Sequence, residues 1–307
     1  MFYYKAFNLV IKSSYEIKDL VEVAANSDFN LIIEEGIVPE HLENAKELFG
    51  IKGWSRQEYN GKEFLLEYRT IGKFLIEGDH KITLQKYPES SEEFFTVMLL
   101  NICFIYLFQM NNLFPIHSSA IEIDGACIAF IGNSGAGKST TATQFLKQGH
   151  RIVTDDLSLI DFDEEGNPFV YPSYPQLRLW DETLSTFELN KEELIKINYK
   201  QEKFKKMLDT AHYVDEPLPL KKMYFLTFSP DNQLRFSELK GFEKVKIISS
   251  QVFGDSIIKT FNKSIEYFQF CQKLAGKIEL CQIERPKNLL TVAEIYESIK
   301  ADLKNSK

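Results

Sequence analysis

Short stretches in the first third of the chain alternate apolar and polar positions, a period that predicts β-strands. Asn and Gly turns separate several of them, as at Asn60-Gly61. The predicted strands are Tyr3 to Ile11, Phe29 to Ile33, Phe64 to Tyr68, Phe74 to Ile76 and Ile82 to Tyr87. Residues 1–112 are therefore expected to form a smaller, β-rich α+β N-terminal domain, with substrate recognition as one role for it.

A long apolar run from Phe94 to Met110 follows the predicted strands. It is shorter than the ~20 apolar residues that usually span a bilayer, and Asn101 and Gln109 interrupt it. Ser90 and Glu93 stand before it at capping-box spacing. The run therefore predicts a helix buried inside the protein, without stable membrane insertion.

The pattern changes after the break at Asn111-Asn112 and Pro115, where strands and helices begin to mix. Predicted strands are His117 to Ile123, Cys127 to Ile131, His150 to Thr154, Leu157 to Phe162, Met223 to Phe228 and Ile278 to Ile283. Predicted helices are Lys138 to Gln148, Gly241 to Gln251, Ser256 to Leu274 and Thr291 to Lys304. Residues 113–307 are thus expected to be an α/β nucleotide-binding domain that carries the chemistry.

Charge, cysteine usage and the N-terminal sequence bear on the partners and the location of this protein. The 307 residues carry 36 Lys and Arg against 44 Asp and Glu, and a net charge of −8 argues against nucleic acid as a partner. The four cysteines form no C-x-x-C pair, so we expect reduced thiols rather than a metal site. With no secretory signal pattern at the start, a cytoplasmic location is expected.

One segment carries a specific chemical signature, the P-loop Gly132-Asn133-Ser134-Gly135-Ala136-Gly137-Lys138-Ser139, followed by Thr140. Its glycines allow the backbone to curl and point amides at phosphate oxygens. Lys138 is expected to reach the β- and γ-phosphates, and the Ser139 hydroxyl to ligate Mg²⁺. An apolar strand before it and a helix after it fit this reading, so ATP and Mg²⁺ are the expected cofactors.

Two adjacent carboxylates, Asp155 and Asp156, end the strand that follows the P-loop helix. One could hold Mg²⁺ while the other accepts a proton from an attacking hydroxyl. The alternative is a polar strand end or a helix cap, but the short distance from the P-loop favours function.

Three further features are less specific. His117 could pair with a carboxylate, although a single histidine is as often structural. Arg178 stands among prolines and aromatics, where it could stabilise a transferring phosphate or pair with a surface carboxylate. The lysines at positions 200, 203, 205 and 206 are predicted to be a solvated helix face, and a lid over an anionic ligand is the alternative.

Together, Ile116-His117-Ser118-Ser119-Ala120, the P-loop and the run Gly149-His150-Arg151-Ile152-Val153-Thr154-Asp155-Asp156 resemble the core of the HPr serine kinase/phosphorylase family. The resemblance implies an ATP- and Mg²⁺-dependent serine kinase. It also implies that Asp155 is the base, that His117 sits by it, and that Asp156 supports the metal together with Ser139.

Two departures concern the acceptor. The family has Glu where this chain has Thr140, and it has a Gly-rich L-N-x-R-G-x-G segment where this chain has Gln176-Leu177-Arg178-Leu179-Trp180. The whole chain looks closer to HPr-kinase-like enzymes of lasso-peptide pathways, which implies a serine-bearing precursor peptide as substrate. An HPr kinase/phosphorylase, a small-molecule kinase and a non-catalytic nucleotide-binding regulator are the alternatives, and a homo-oligomer stays open.

Overall fold

The computed structural model describes residues 1–25, 28–48, 54–198, 202–287 and 291–305. It has a mixed α/β architecture, with three sheets among these described residues. The chain divides into two compact units, each made from separate stretches. Met1–Pro115 and Phe253–Tyr267 form the first unit, and Ile116–Val252 and Phe268–Lys307 form the second.

The elements alternate along the second unit and are mostly strands in the first. The strands are β1 Phe2–Ala6, β2 Leu9–Ser13, β3 Val21–Glu22, β4 Leu31–Glu35, β5 Lys46–Leu48, β6 Ser55–Tyr59, β7 Glu63–Tyr68, β8 Gly72–Glu77, β9 Lys81–Lys86, β10 Ser118–Ile123, β11 Ala126–Ile131, β12 Ile152–Thr154, β13 Leu159–Phe162, β14 Pro168–Tyr171, β15 Gln176–Trp180, β16 Ile195–Asn198, β17 Lys203–Met207, β18 Leu218–Phe228, β19 Arg235–Glu238 and β20 Glu279–Arg285. The helices are α1 Glu92–Val97, α2 Phe104–Met110, α3 Lys138–Lys147, α4 Asp181–Thr186, α5 Phe242–Gln251, α6 Asp255–Thr260, α7 Ser264–Lys277 and α8 Val292–Asn305, with a π-helical turn Met98–Cys103 and a 3-10 turn Lys191–Glu193.

A nine-stranded sheet in the order β3-β1-β2-β4-β9-β8-β7-β6-β5 forms the first unit. Its opening differs from the single strand that we predicted for Tyr3 to Ile11. Phe7 and Asn8 adopt positive φ angles of 52° and 63°, which turns the chain into the antiparallel β1–β2 hairpin. Asn tolerates this left-handed conformation better than most residues, and the alternating pattern continues on both sides of the turn.

The helical run 92–110 packs on this sheet and is largely buried, as predicted. Phe95 stacks on Phe74 with ring centroids 4.8 Å apart, and Tyr106 lies 4.4 Å from Phe64. Among the described residues it is the one helix long and apolar enough to cross a membrane, and 67% of its apolar window is buried within the protein. Length and composition do not by themselves indicate a membrane span, because a buried core helix can have the same length and composition.

The second unit contains a sheet in the order β12-β10-β11-β18-β14-β13, with β20 beside β18 and β19 beside β20. Strands β11, β18 and β20 run parallel, so their carboxyl ends meet at one edge. Strand β10 is antiparallel to both β11 and β12, which brings the end of β12 to that same edge. The P-loop and the aspartate pair follow β11 and β12, respectively, and the topology therefore places them side by side.

A three-stranded sheet, β15-β17-β16, covers this edge of the second unit. The helix predicted for the lysine-rich segment is wrong for its described residues, since Lys203–Met207 is a strand paired with β15 and β16. Phe204 packs into the core on one face of the strand, and Lys203 and Lys205 point to the other. This alternation has the period of a strand. Lys200 lies outside the described residues.

Aromatic side chains join the P-loop helix to the rest of the second unit. Phe145 of α3 is fully buried, and its ring centroid lies 5.5 Å from that of Phe130 on β11 and 4.6 Å from that of Tyr296 on α8. The orientation of α3, and with it the position of the P-loop, therefore depends on this contact.

We expect Phe145→Ala to destabilise the second unit by about 3–5 kcal/mol, because it removes a fully buried ring and leaves a cavity. Urea unfolding followed by tryptophan fluorescence measures the change. Phe145→Leu keeps most of the apolar volume and should cost less. Equal losses for the two variants would contradict the packing role of the ring.

Candidate active site

The P-loop curls between β11 and α3, and two of its glycines have no room for a side chain. Gly132 has a φ of 150°, and a Cβ there would lie 2.5 Å from the Leu226 carbonyl oxygen. Gly137 has a φ of 103°, and a Cβ there would lie 2.9 Å from Nη2 of Arg285. The glycines predicted for phosphate binding are thus also required by the surrounding structure. The amides at the start of α3 form a helix N-terminus, which favours anions.

Lys138 is buried at the base of this loop. Its Nζ donates to the carbonyl oxygen of Gly132 at 2.8 Å and approaches that of Asn133 at 3.4 Å. Burial lowers the pKa of Lys138 to about 8, although the charges of Asp156 and Asp155 oppose the shift. A polyphosphate in the loop would favour the charged form, so phosphate binding and the charge of Lys138 support one another.

Asp155 turns inward, towards the P-loop. Its carboxylate accepts hydrogen bonds from the Ser139 hydroxyl at 3.0 Å, from the Ser119 hydroxyl, and from the backbone N–H of Arg178 at 2.7 Å. The residue is 1% exposed. Burial raises the pKa of Asp155, and the neighbouring charge of Asp156 raises it further.

Asp156 turns outward, with a φ of 73° at a local irregularity, after which the antiparallel pairing resumes at Ser158 with Ile116. Its Oδ2 lies 2.7 Å from Nη1 of Arg178, and its Oδ1 lies 3.3 Å from Nε2 of His117 and 3.5 Å from Nζ of Lys203. Burial alone would raise the pKa of Asp156, but the charges of Lys203 and Arg178 outweigh it and hold that pKa well below its usual range.

The position expected for His117 needs a correction. The resemblance implies that His117 sits by Asp155, but the structure pairs it with Asp156. The reason is that the carboxylate of Asp155 is directed to the Ser139 and Ser119 hydroxyls, whereas that of Asp156 is directed away from them. Thr140, expected among the nucleotide-binding residues, hydrogen-bonds through its side chain to the Thr183 hydroxyl at 2.8 Å.

Arg178 is brought to the site from β15. It is 4% exposed, and the Gln176 amide lies 3.2 Å from both its Nε and its Nη2, where an amide oxygen accepts from both. Its guanidinium is therefore held in one orientation, facing Asp156.

Three site residues were missed or misread from sequence. Arg285, at the end of β20, donates from Nε to the P-loop carbonyl oxygen of Ala136 at 2.7 Å. Gln251 accepts from the Gly132 N–H through its side chain at 3.0 Å and from the His117 N–H through its backbone at 2.8 Å. Lys203 reaches Asp156 from β17. Arg285 and Gln251 lie far along the chain and belong to no recognisable motif, so no sequence signal identifies them. For Lys203, the alternation of apolar and polar residues around it could have predicted a strand.

The oxygen donors here fit Mg²⁺. Ser139 and Asp155 offer a hydroxyl and a carboxylate next to the predicted phosphate site, and Asp156 adds a second carboxylate. Within the described ranges, no group of three or more His, Cys, Asp or Glu residues is placed to hold a metal. Mg²⁺ usually takes one or two carboxylates together with phosphate oxygens and water, which matches the donors of Ser139 and Asp155.

Known proteins similar to this chain share one segment of it. HPr kinase/phosphorylase from Lactobacillus johnsonii is 40% identical over 75 residues, which cover 24% of this chain and 23% of that protein. The enzyme of the same name from Bacillus pumilus is 37% identical over 62 residues, covering 20% and 19%. The chain thus aligns with about a quarter or less of the length of these relatives, and over that segment the HPr-kinase-like resemblance is confirmed.

No protein-family model matches the chain. Among solved structures, the HPr(Ser) kinase/phosphatase from Coxiella burnetii is similar at 12% identity, with a TM-score of 0.34 over 63% of this chain and 99% of that one. A TM-score of this size does not establish a shared fold.

The opposite pKa shifts of the two aspartates give opposite expectations for stability. A carboxylate whose pKa is raised in the folded state destabilises the fold as the pH rises from the ordinary Asp pKa through the folded-state pKa. Asp155→Asn removes that penalty, and its amide can still bond Arg178 N–H and the two serine hydroxyls. We therefore expect Asp155→Asn to raise the melting temperature near pH 7. The expected rise is roughly 2–4 °C for each kcal/mol gained in the free energy of unfolding.

Asp156→Asn is the matched control. Its carboxylate has a lowered pKa, so its ion pairs stabilise the fold above the ordinary Asp pKa, and this variant should melt lower near pH 7. Calorimetry of both variants without nucleotide measures the pair. Destabilisation by both substitutions would contradict the proposed difference between the carboxylates.

Proposed function

We propose that this protein is a kinase that transfers the γ-phosphoryl group of Mg-ATP to a serine hydroxyl of a peptide or small protein. The observation that carries the proposal is the hydrogen bond of 3.0 Å between the P-loop hydroxyl of Ser139 and Asp155, with Asp156 and its cations one residue further on. A site for the triphosphate and a site for an attacking hydroxyl thereby lie next to each other.

The nucleotide side consists of the P-loop amides, Lys138, Ser139 and Asp155. The amides and Lys138 bind the phosphates, and Ser139 and Asp155 would hold Mg²⁺. The metal would neutralise charge on the phosphate oxygens as the transfer proceeds. The buried Asp155 suits this role, because a metal ion compensates the carboxylate charge that burial makes unfavourable.

The acceptor side consists of Asp156, His117, Arg178 and Lys203. In the proposed step the serine oxygen attacks the γ-phosphorus, the bond from phosphorus to the β–γ bridging oxygen breaks, and ADP leaves. The serine proton passes to the carboxylate of Asp156. This reverses the roles that the resemblance implied for Asp155 and Asp156, and it follows the contacts that each carboxylate makes.

The low pKa of Asp156 makes it a weak base while its ion pairs hold. Arg178 and Lys203 are also the cations that a transferring phosphoryl group attracts. If Arg178 or Lys203 binds the phosphate in place of Asp156, less positive charge faces the carboxylate, and the pKa of Asp156 rises. Phosphoryl transfer depends mainly on positioning and charge neutralisation, so orienting the hydroxyl would be the larger part of the role of Asp156.

Two acceptors are proposed in order. A serine-bearing precursor peptide of the lasso type comes first, on the sequence resemblance across the whole chain. The HPr protein comes second, favoured by the 40% identity to an HPr kinase/phosphorylase over 75 residues.

We expect label from the γ-phosphate of ATP to appear on serine in a panel of acceptors that contains serine peptides, HPr and small hydroxyl compounds. Lys138→Met should abolish the transfer, because it removes the charge that faces the β- and γ-phosphates. Phosphopeptide mapping identifies the residue that is modified. Tight Mg-ATP binding without transfer to any acceptor would instead indicate a nucleotide-binding regulator.

The two aspartates should differ in kinetics once an acceptor is identified. Asp156→Asn should leave Mg-ATP affinity intact and slow single-turnover transfer, by up to the ~10²–10⁴-fold typical of lost general acid–base catalysis. Asp155→Asn should weaken Mg-ATP binding, and excess Mg²⁺ should restore part of it. The reverse pattern would support the assignment in which Asp155 is the base.

A further inference from the structure

Phe228 is an exposed aromatic residue at the carboxyl end of β18. Its ring is 40% exposed, whereas Leu226, two residues earlier on the same strand, is buried. Ile131, the last residue before the P-loop, pairs with Phe225. Phe228 therefore lies about 10 Å further along the strand direction, beyond the edge where the P-loop begins.

Arg285 links this ring to the P-loop. It is the register partner of Phe228 on the neighbouring parallel strand, and its guanidinium carbon lies 4.7 Å from the ring centroid. The same guanidinium donates to the carbonyl oxygen of Ala136 at 2.7 Å. The exposed Lys287 places its Nζ 6.0 Å from the ring centroid and adds positive charge. The buried Arg285 thus connects the ring to the P-loop through direct contacts.

The topology decides which end of a bound nucleotide faces this surface. The aspartate pair follows β12, which lies on the β10 side of the P-loop strand, whereas β18 and β20 lie on its other side. The γ-phosphate must be near the aspartates, because transfer takes place there. The nucleoside then extends in the opposite direction, over the carboxyl ends of β18 and β20.

We propose that Phe228, held by Arg285, is the stacking platform for the nucleobase of the bound triphosphate. The inference rests on the proposed function, which supplies both the phosphate site in the P-loop and the direction of the γ-phosphate, and it is independent of which acceptor is phosphorylated. An exposed ring beside a guanidinium offers a flat apolar face with positive charge next to it, a combination that binds the π-face of a base. The platform makes the site selective for a nucleoside triphosphate over inorganic tripolyphosphate.

Comparing two ligands tests the platform, since Mg-ATP carries a base and Mg-tripolyphosphate does not. Phe228→Ala should weaken Mg-ATP binding by roughly 5- to 150-fold, the range for loss of one base–aromatic stack. Its affinity for Mg-tripolyphosphate should stay at the wild-type value. Phe228→Tyr keeps the aromatic face and should bind Mg-ATP as the wild type does. Titration calorimetry measures all the affinities.

Phe242→Ala is the matched control, because Phe242 is also an exposed phenylalanine of the second unit, at 74%. It begins α5, whose Lys244 bonds the carbonyl oxygen of Ile278, immediately before β20 and at the other end of that strand from Arg285. This variant should bind both ligands normally.

The outcomes separate this inference from the proposed function. If Phe228→Ala lowers affinity for both ligands equally, the ring only supports the P-loop and the inference is overturned. If it lowers neither, the base binds elsewhere and the inference is again overturned, while the P-loop assignment stands. If the wild type binds neither ligand, the proposed function fails and the platform with it.

Discussion

Two carboxylates at the end of one short strand impose the main physical constraint on the second unit. Adjacent ionised aspartates repel each other, and burial adds to that cost unless each is compensated. The structure separates them at a local irregularity, where Asp156 has a φ of 73°, so one side chain points in and the other out. Asp155 receives hydroxyls and a backbone N–H, and Asp156 receives Arg178, Lys203 and His117.

This division of partners explains why distant segments meet at the site. Arg178 and Lys203 come from neighbouring strands of the three-stranded sheet, so the pairing of β15 with β17 delivers both cations to one carboxylate. Gln251 ties the first P-loop amide to the strand that begins after His117. Positions of the P-loop, the histidine and the arginine are therefore coupled through backbone contacts as well as through charge.

Local patterns were sufficient to predict the strand before residues 132–137, the helix after them and the buried helix 92–110, because each depends on neighbouring residues. Contacts between distant residues were not predictable. The segment 253–267 joins the first unit, where the ring centroid of Phe261 lies 4.7 Å from that of Tyr59. Nothing in the composition of this segment identifies a partner some 200 residues earlier. The helix predicted for Ser256 to Leu274 is broken at Asn262, which has a φ of 56°. In the same way, Arg285 gains its role only because β20 lies parallel to β18.

The two departures from the HPr kinase pattern point towards the acceptor rather than the nucleotide. The loop glycines, Lys138 and Ser139 match the family pattern, and they are the residues that the proposed triphosphate site uses. Thr140, where the family has Glu, forms a hydrogen bond between its hydroxyl and that of Thr183. Residues 176–180, where the family has glycines, form a regular strand whose Arg178 faces Asp156. Glycine would weaken such a strand, so the non-glycine residues at these positions favour a fixed cationic wall beside the proposed acceptor site. A fixed cationic wall beside a P-loop of the family pattern supports the proposal of a kinase that uses ATP and has an acceptor other than HPr.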